Sequence, residues 1–476
     1  MINDFFNIML PQICLGLFIV LQLLLSIFLS PRFEKYARII SASGIALSAV
    51  LLTSVQAEPQ YFGLKNAVMS DYYTVLFHFI ILICGFFIVL LMKNLTLKSK
   101  QNSYTLHALL LTAIFGAFNI VSANDFLTLF ISIELLSFPT YFLIASTRNY
   151  YSKEACFKYL ITNAISTGVF LFGVSYLYGI TSSVNFSEIT EFMSENEPSL
   201  LYAFSGIMII LGLISKLSIF PFANWVIDVY KGTETSILAF LSTIPKLAMF
   251  AIVCRLLVFP LSYSFELAFV LAIISIITAF WANTYAIREN NVKVIFACSS
   301  AANASYMLLV AALVSVYNLS TVIFYLVCYV IMNLTVFCFL NITEYNNIGF
   351  NINDFKNIFH KNHGFAVCYA LTIIALAGFP ITSGFAAKIY LFSAVANSGL
   401  IFLPFLLALL LLTVIALFYY LKIIMPLFEK NNSEGIKLKA FYSQKFVLFI
   451  TAAITLIIGI CPEKLIELCR FIAYNI

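Results

Sequence analysis

Residues 200–230 read LLYAFSGIMIILGLISKLSIFPFANWVIDVY. The segment is almost wholly apolar, yet it carries Lys216 and, five residues later, Pro221. About 20 helical residues cross a hydrocarbon core, so this run is too long for one simple crossing. An internal proline removes a backbone donor and clashes with the preceding turn. The reading is a broken transmembrane helix, which a membrane tolerates only where protein or a polar cavity surrounds the break. Residues 365–396 repeat the pattern, with Pro380 inside an overlong apolar run and Lys388 eight residues further on.

The rest of the chain has the same character. Of 476 residues, 62% are hydrophobic and 10% charged, against about 25% charged in soluble domains. A water-soluble globule is excluded, and the runs are continuous rather than alternating, which argues against a β-barrel. The expected fold is an all-α polytopic membrane protein with about fourteen transmembrane helices. The spans lie near 8–29, 37–55, 72–92, 106–122, 125–147, 156–180, 200–230, 236–257, 266–286, 293–314, 318–342, 365–396, 401–425 and 443–462. Spans 7 and 12 are the broken ones. Their separation by five suggests two inverted five-helix repeats, spans 4–8 and 9–13. Aligning Pro221 with Pro380 sets Lys216 against Ala375 and Lys388 against Val229, so the architecture repeats while the charges do not. The start, MINDFFNIMLPQ, lacks a basic n-region and a small-residue cleavage site, and reads as part of the first span.

Loop charge sets an expected orientation. Loops after odd-numbered spans hold 18 basic residues: Arg32, Lys35 and Arg38; Lys93, Lys98 and Lys100; Arg148 and Lys153; Lys231; Arg288 and Lys293; Lys356 and Lys361; and Lys422, Lys430, Lys437, Lys439 and Lys445. The other loops and the termini hold three, Lys65, Lys464 and Arg470. The bias puts the first set on the cytoplasmic or matrix side and both termini outside. The largest outer loop, TSSVNFSEITEFMSENEPS at 181–199, is acidic and reads as a solvated loop. Ten cysteines, none in a CxxC pair, suggest buried apolar positions rather than a zinc or iron–sulfur site. No phosphate-binding glycine motif stands in a strand–helix context, so no nucleotide site is expected.

Five basic residues remain unassigned to loops, Lys158, Lys216, Lys246, Arg255 and Lys388, and one acid, Glu134, joins them inside the spans. Unpaired, each costs about 2.5–3.5 kcal/mol at mid-helix. Arg255 lies near the outer end of its span, from which it can snorkel, and Lys158 lies near an inner end. Glu134, Lys216 and Lys246 are central. Burial lowers a lysine pKa and a nearby carboxylate raises it again, so a row of lysines beside a movable carboxylate is a switchable proton relay. Static ion pairing that orients helices is the competing reading. His78 lies within span 3, where a hydrogen-bonded packing role is expected; His107 stands at a span start, and His360 and His363 in a loop.

The same residues carry a family resemblance. NDFLTLFISIELLSFPTYFLIA (124–145) resembles helix 5 of the subunit-N family of the proton-pumping NADH–quinone oxidoreductase, respiratory complex I, an antiporter-like family related to Mrp-type sodium/proton antiporters. SKLSIFPFANWVIDVYKGTETSILAFLSTIPKLAMF (215–250) resembles its helices 7 and 8, and ALAGFPITSGFAAKIYLF (375–392) its helix 12. ENNVKVIFACSSAANASYMLL (289–309) is similar to the loop and start of helix 10, and YYLKIIMPLF (419–428) to the end of helix 13. Ile133 stands where the sister subunits M and L usually show tryptophan, and Lys388 where subunit M has glutamate. A long lateral helix like that of subunit L is not expected.

The resemblance covers about 104–425. It divides the chain into an N-terminal three-helix segment (1–103), an antiporter-like proton-channel core (104–425) and a C-terminal loop with the last helix (426–476). It implies that Glu134 modulates Lys216, that Lys246 passes the proton along, that Lys388 connects to the outside, and that Lys158 in ACFKYL is a further relay lysine. It implies a translocase subunit without a redox site of its own. NADH, FMN, iron–sulfur clusters and quinone are then expected in other subunits, and the partners are neighbouring antiporter-like and small membrane subunits, lipids and protons, with no nucleic acid. The expected location is a bacterial inner membrane rather than a mitochondrial one. Three positions depart from the family pattern: Asn303 and Ala223 stand where histidines are common, and Lys231 where a glutamate is usual. The relay is then expected to lean on water, Ser299, Ser300, Tyr325 and Tyr329.

Overall fold

The computed structural model describes residues 2–28, 33–55, 61–63, 66–98, 101–196, 199–261, 265–429 and 437–475. Of the loop cations named above, Arg32, Lys65, Lys100, Lys430 and the side chain of Lys98 lie outside the described residues. In chain order the helices are α1 (Ile2–Phe28), α2 (Lys35–Leu52), α3 (Tyr72–Leu91), α4 (Lys93–Lys98), α5 (Ser103–Ser122), α6 (Phe126–Ile144) and α7 (Tyr150–Thr181). There follow α8 (Phe186–Glu195), α9 (Leu200–Ile214), α10 (Trp225–Gly232), α11 (Thr235–Val258), α12 (Phe265–Arg288), α13 (Val292–Ala312) and α14 (Val316–Tyr345). The chain continues through α15 (Ile358–Lys361), α16 (His363–Ala377), α17 (Ser383–Ala396), α18 (Leu403–Phe428), α19 (Tyr442–Ile460) and α20 (Glu463–Tyr474). One two-stranded antiparallel hairpin, Tyr61–Gly63 with Val68–Ser70, stands before α3.

Among the described residues, 13 helices are long and apolar enough to cross a membrane. The shorter pair α16 and α17 supplies the remaining expected crossing, so the polytopic helical reading holds. Both expected breaks are present. Span 7 stops after a 3₁₀ turn at Ser215–Leu217 and resumes as α10; span 12 stops at Ala377 and resumes as α17. Positive φ values at Ser218 in the first break, and at Gly378 and Ile381 in the second, turn the backbone out of helical geometry.

The chain forms two compact units. Unit 1 comprises Met1–Leu217, Gly232–Ala268 and Ile472–Ile476; unit 2 comprises Ser218–Lys231 and Phe269–Phe471. In unit 1, α7 packs along α9, α5 along α6, and α11 against α3 and α5. In unit 2, α14 packs against α13, α16, α17 and α19. The 18-residue apolar windows of α11 and α13 are wholly buried, whereas only about a third or less of those of α1, α7 and α18 is buried. Side chains such as Ile27, Phe157 and Leu411 are exposed, as expected of surfaces solvated by lipid tails.

Three local expectations need correction. The acidic segment 181–199 is not simply a loop: α8 folds there, capped by Asn185 and burying Phe186, Ile189 and Met193 at i, i+3 and i+7. Lys293 is not a loop lysine. It stands in the first turn of α13, is 4% exposed, and faces Glu344 at 3.8 Å and the Phe350 ring at 3.9 Å. The third is Arg255, which does not snorkel. Its Nη2 pairs with Asp71 Oδ2 at 2.6 Å and its Nη1 donates to the Val121 carbonyl at 2.8 Å, both side chains being buried. Asp71 also caps α3, accepting from the Thr74 amide at 2.7 Å. One ion pair thus ties α3, α5 and α11 together inside unit 1.

Candidate functional site

In unit 1, Glu134 and Lys216 are brought together through intermediaries that the sequence reading did not single out. Glu134 accepts from Thr167 Oγ1 of α7 at 3.1 Å. Lys216, 5% exposed, donates to Ser137 Oγ at 2.6 Å, and Ser137 donates to the Ile133 carbonyl at 2.6 Å. Ser137 is three residues after Glu134, so the two share one face of α6. The ammonium therefore meets a hydroxyl one turn from the carboxylate. Pro139, inside α6, cannot donate to the Leu135 carbonyl. That carbonyl, in the turn that holds Glu134, lacks its usual i+4 amide donor.

Lys246 lies at mid-helix in α11 and is 1% exposed. Pro245 precedes it and withholds an amide from the Leu241 carbonyl. Lys158 is different in kind. It forms an i,i+4 ion pair with Glu154 at 2.9 Å, with both side chains about two-fifths exposed. His78 behaves as a packing residue: its Nε2 bonds with the Phe118 carbonyl at 3.0 Å and Ser122 Oγ at 3.1 Å, and its ring stacks on Phe118.

In unit 2, Lys388 folds back from α17 onto the break. Its ammonium donates to the carbonyls of Leu376 at 3.0 Å and Ala377 at 2.8 Å. These are last-turn carbonyls of α16, which lack helical partners and carry the negative end of the helix dipole. The break builds a cation site, and the chain's own lysine fills it.

A hydroxyl network lies on α13, α14 and α18. Tyr325 Oη donates to Asn303 Oδ1 at 2.7 Å, and Asn303 Nδ2 donates to the Ser299 carbonyl at 2.8 Å. Ser299 Oγ meets Tyr420 Oη at 2.5 Å. Beside it, Tyr329 Oη donates to Ser300 Oγ at 2.9 Å, and Tyr230 Oη approaches the same oxygen at 3.4 Å. All of these residues are buried. Asn303, one of the departures from the family pattern noted above, is surrounded by hydroxyl groups. The sequence signals were motif membership: Tyr420 lies in YYLKIIMPLF, and Ser137 lies in the helix-5-like segment 124–145, three residues after Glu134.

Residues 123–416 match the family described as NADH:quinone oxidoreductase/Mrp antiporter, TM. The chain belongs to this family. It is 30% identical to NADH-quinone oxidoreductase subunit N 2 of Solibacter usitatus (strain Ellin6076), over 98% of this chain and 97% of that protein. In fold it is similar to a chain of respiratory complex I from Thermus thermophilus with bound aureothin, at a TM-score of 0.82 and 24% identity, covering 97% of this chain and 99% of that one. It is equally similar to a chain of the Mrp complex from Dietzia sp. DQ12-45-1b, at a TM-score of 0.83 and 18% identity, over 100% and 98%. As a family member with these helices, the chain is a multi-pass membrane protein.

Proposed function

We infer that the chain is the proton-translocating membrane-arm subunit N of an NADH–quinone oxidoreductase. One observation carries the relay reading over static pairing. The buried ammonium groups of Lys216 and Lys388 are held by neutral acceptors, a hydroxyl and two carbonyls. A neutral acceptor stays satisfied whether the amine is charged or has lost its proton, because the neutral amine keeps N–H donors. Arg255 supplies the contrast: a guanidinium stays protonated, and it is locked to Asp71.

In this function Glu134 sets the charge state of Lys216 through the Ser137 turn, Lys246 takes the proton on, and Lys388 passes it out. Lys158, with its partly exposed Glu154 partner, serves entry. The buried hydroxyls of Ser299, Tyr325 and Tyr420 assist as donors and acceptors, with Asn303 positioning them. Redox chemistry belongs to other subunits, which supply the driving free energy. One charge crossing 100 mV requires about 2.3 kcal/mol, so the path must be gated. The partners are neighbouring antiporter-like and small membrane subunits, and the domain division is 1–103, 104–425 and 426–476. The core holds two inverted repeats, here α5–α11 and α12–α18, a reading supported by one broken span in each. The loop charge bias supports a topology with both termini on the periplasmic side, the host membrane being read as a bacterial inner membrane.

The test is NADH-driven proton uptake in inverted membrane vesicles containing the assembled complex. Lys216→Ala and Glu134→Ala are expected to lower pumping and quinone reduction together; full pumping by both rejects the assignment. The likeness to the Mrp complex sustains a second reading, a cation/proton antiporter subunit. Sodium-dependent pH change in liposomes holding the chain would favour it.

A further inference from the structure

Several basic residues near the start of the chain converge on one cavity of about 220 Å³ in unit 1. Helix α2 brings Lys35 and Arg38 to it, α4 brings Lys93 and Leu97, and α5 brings His107. His107 is 1% exposed, and neither ring nitrogen has a hydrogen-bond partner. A buried polar group left unsatisfied is costly; the imidazole borders the cavity, but its nitrogens do not open onto it. Glu34 is the one acid among the described lining residues, and its carboxylate accepts from the Ser103 amide at the start of α5 at 3.4 Å. Three cations and one carboxylate therefore line the space, beside a buried imidazole.

The donor set suits a phosphate, whose oxygens accept from ammonium and guanidinium N–H alike. The rim suits an amphiphile. Leu97 lines the cavity while 64% exposed, and α2 exposes Ile39 and Val50. These two are eleven residues apart, close to three full turns, so they share a face about 16 Å long. A water-soluble anion has no use for such a rim, whereas an acyl chain does. Basic pockets between transmembrane helices are a known setting for lipid headgroups. We propose that this cavity binds the phosphate headgroup of an anionic phospholipid, in the leaflet reached by the basic ends of α2, α4 and α5, with an acyl chain lying along α2. The site stands whether or not the proton-relay reading does.

The test uses the purified full chain in lipid-free detergent, titrated in turn with phosphatidylglycerol, phosphatidylcholine and inorganic phosphate. Binding is read from lipid adducts in native mass spectra and from the thermal unfolding midpoint. Phosphatidylglycerol is expected to bind at least tenfold more tightly than phosphatidylcholine. Arg38→Gln/Lys93→Gln should remove that preference, while Arg38→Lys/Lys93→Arg keeps it. The remote pair Lys153→Gln/Lys361→Gln should leave it intact. Leu97→Glu, a change at an exposed position, should weaken binding without touching the cations. Equal binding of both lipids, retention by the Gln pair, or an equal loss in the remote pair overturns the proposal. Displacement of phosphatidylglycerol by millimolar inorganic phosphate also overturns it, by showing a free-phosphate site.

Discussion

A buried ammonium needs acceptors, and this chain supplies two sorts. Lys216 uses a serine hydroxyl and Lys388 uses carbonyls freed by a helix end. Hydrogen bonds to charged groups contribute about 1.5–3 kcal/mol. Ser137→Ala in the assembled complex is therefore expected to cut proton pumping about tenfold or more, with Ser137→Thr retaining most of it. Wild-type pumping by Ser137→Ala would dismiss the serine as a bystander. Arg255 belongs to stability rather than transport. Asp71→Asn leaves its guanidinium buried without a counter-charge, a loss of about 3–5 kcal/mol. A lowered thermal unfolding midpoint is expected, partly recovered in Asp71→Asn/Arg255→Gln. An unchanged midpoint in Asp71→Asn would count against the tie between α3 and α11.

At the scale of elements, the second break depends on two glycines. Gly378 has φ +90°, and a Cβ there would come within 2.8 Å of Lys388 Cδ. Gly384 would bring a Cβ within 1.8 Å of the Ala375 carbonyl oxygen, so α17 cannot keep its approach to α16 with any side chain at that position. Gly384→Ala is expected to reduce the amount of assembled complex, measured by native gel. Gly378→Asn separates two effects: asparagine tolerates positive φ, yet its side chain still displaces Lys388. It should assemble and pump poorly. Normal pumping by this variant would mean that the position of Lys388 over the break does not matter. Sequence reading located both breaks from Pro221 and Pro380 but missed α8 and α20. Both are short, and α20 buries Ile466, Cys469, Ile472 and Ala473 with charges on its other side. A hydropathy window tuned to crossings averages such a pattern away.

For the whole molecule, the proposed function requires coupling. If the relay is the route by which the redox reaction does its work, blocking it must slow electron transfer as well. Lys246→Ala, on a helix whose apolar window is wholly buried, is expected to lower proton uptake and NADH–quinone turnover in proportion. An uncoupler would not restore turnover, because the block is a missing proton carrier rather than an opposing potential. Restored turnover on adding uncoupler would show instead that Lys246 sits outside the coupled path.

Some of this was legible along the chain and some was not. Hydropathy over about 20 residues settles which segments cross a membrane, because a backbone in hydrocarbon must satisfy its own hydrogen bonds. Likewise, a lysine in such a segment announces itself by its cost, which is why Lys216, Lys246 and Lys388 stood out. What each charge touches is a matter of contacts between residues far apart in sequence. Asp71 meets Arg255 across 184 positions, Ser137 meets Lys216 across 79, and Ser299 meets Tyr420 across 121. The unaided sequence thus determined where the charges lie along the helices. The tertiary packing alone decided that Arg255 is locked to a carboxylate while Lys216 and Lys388 rest on neutral oxygens, since a partner's identity depends on which helix faces which.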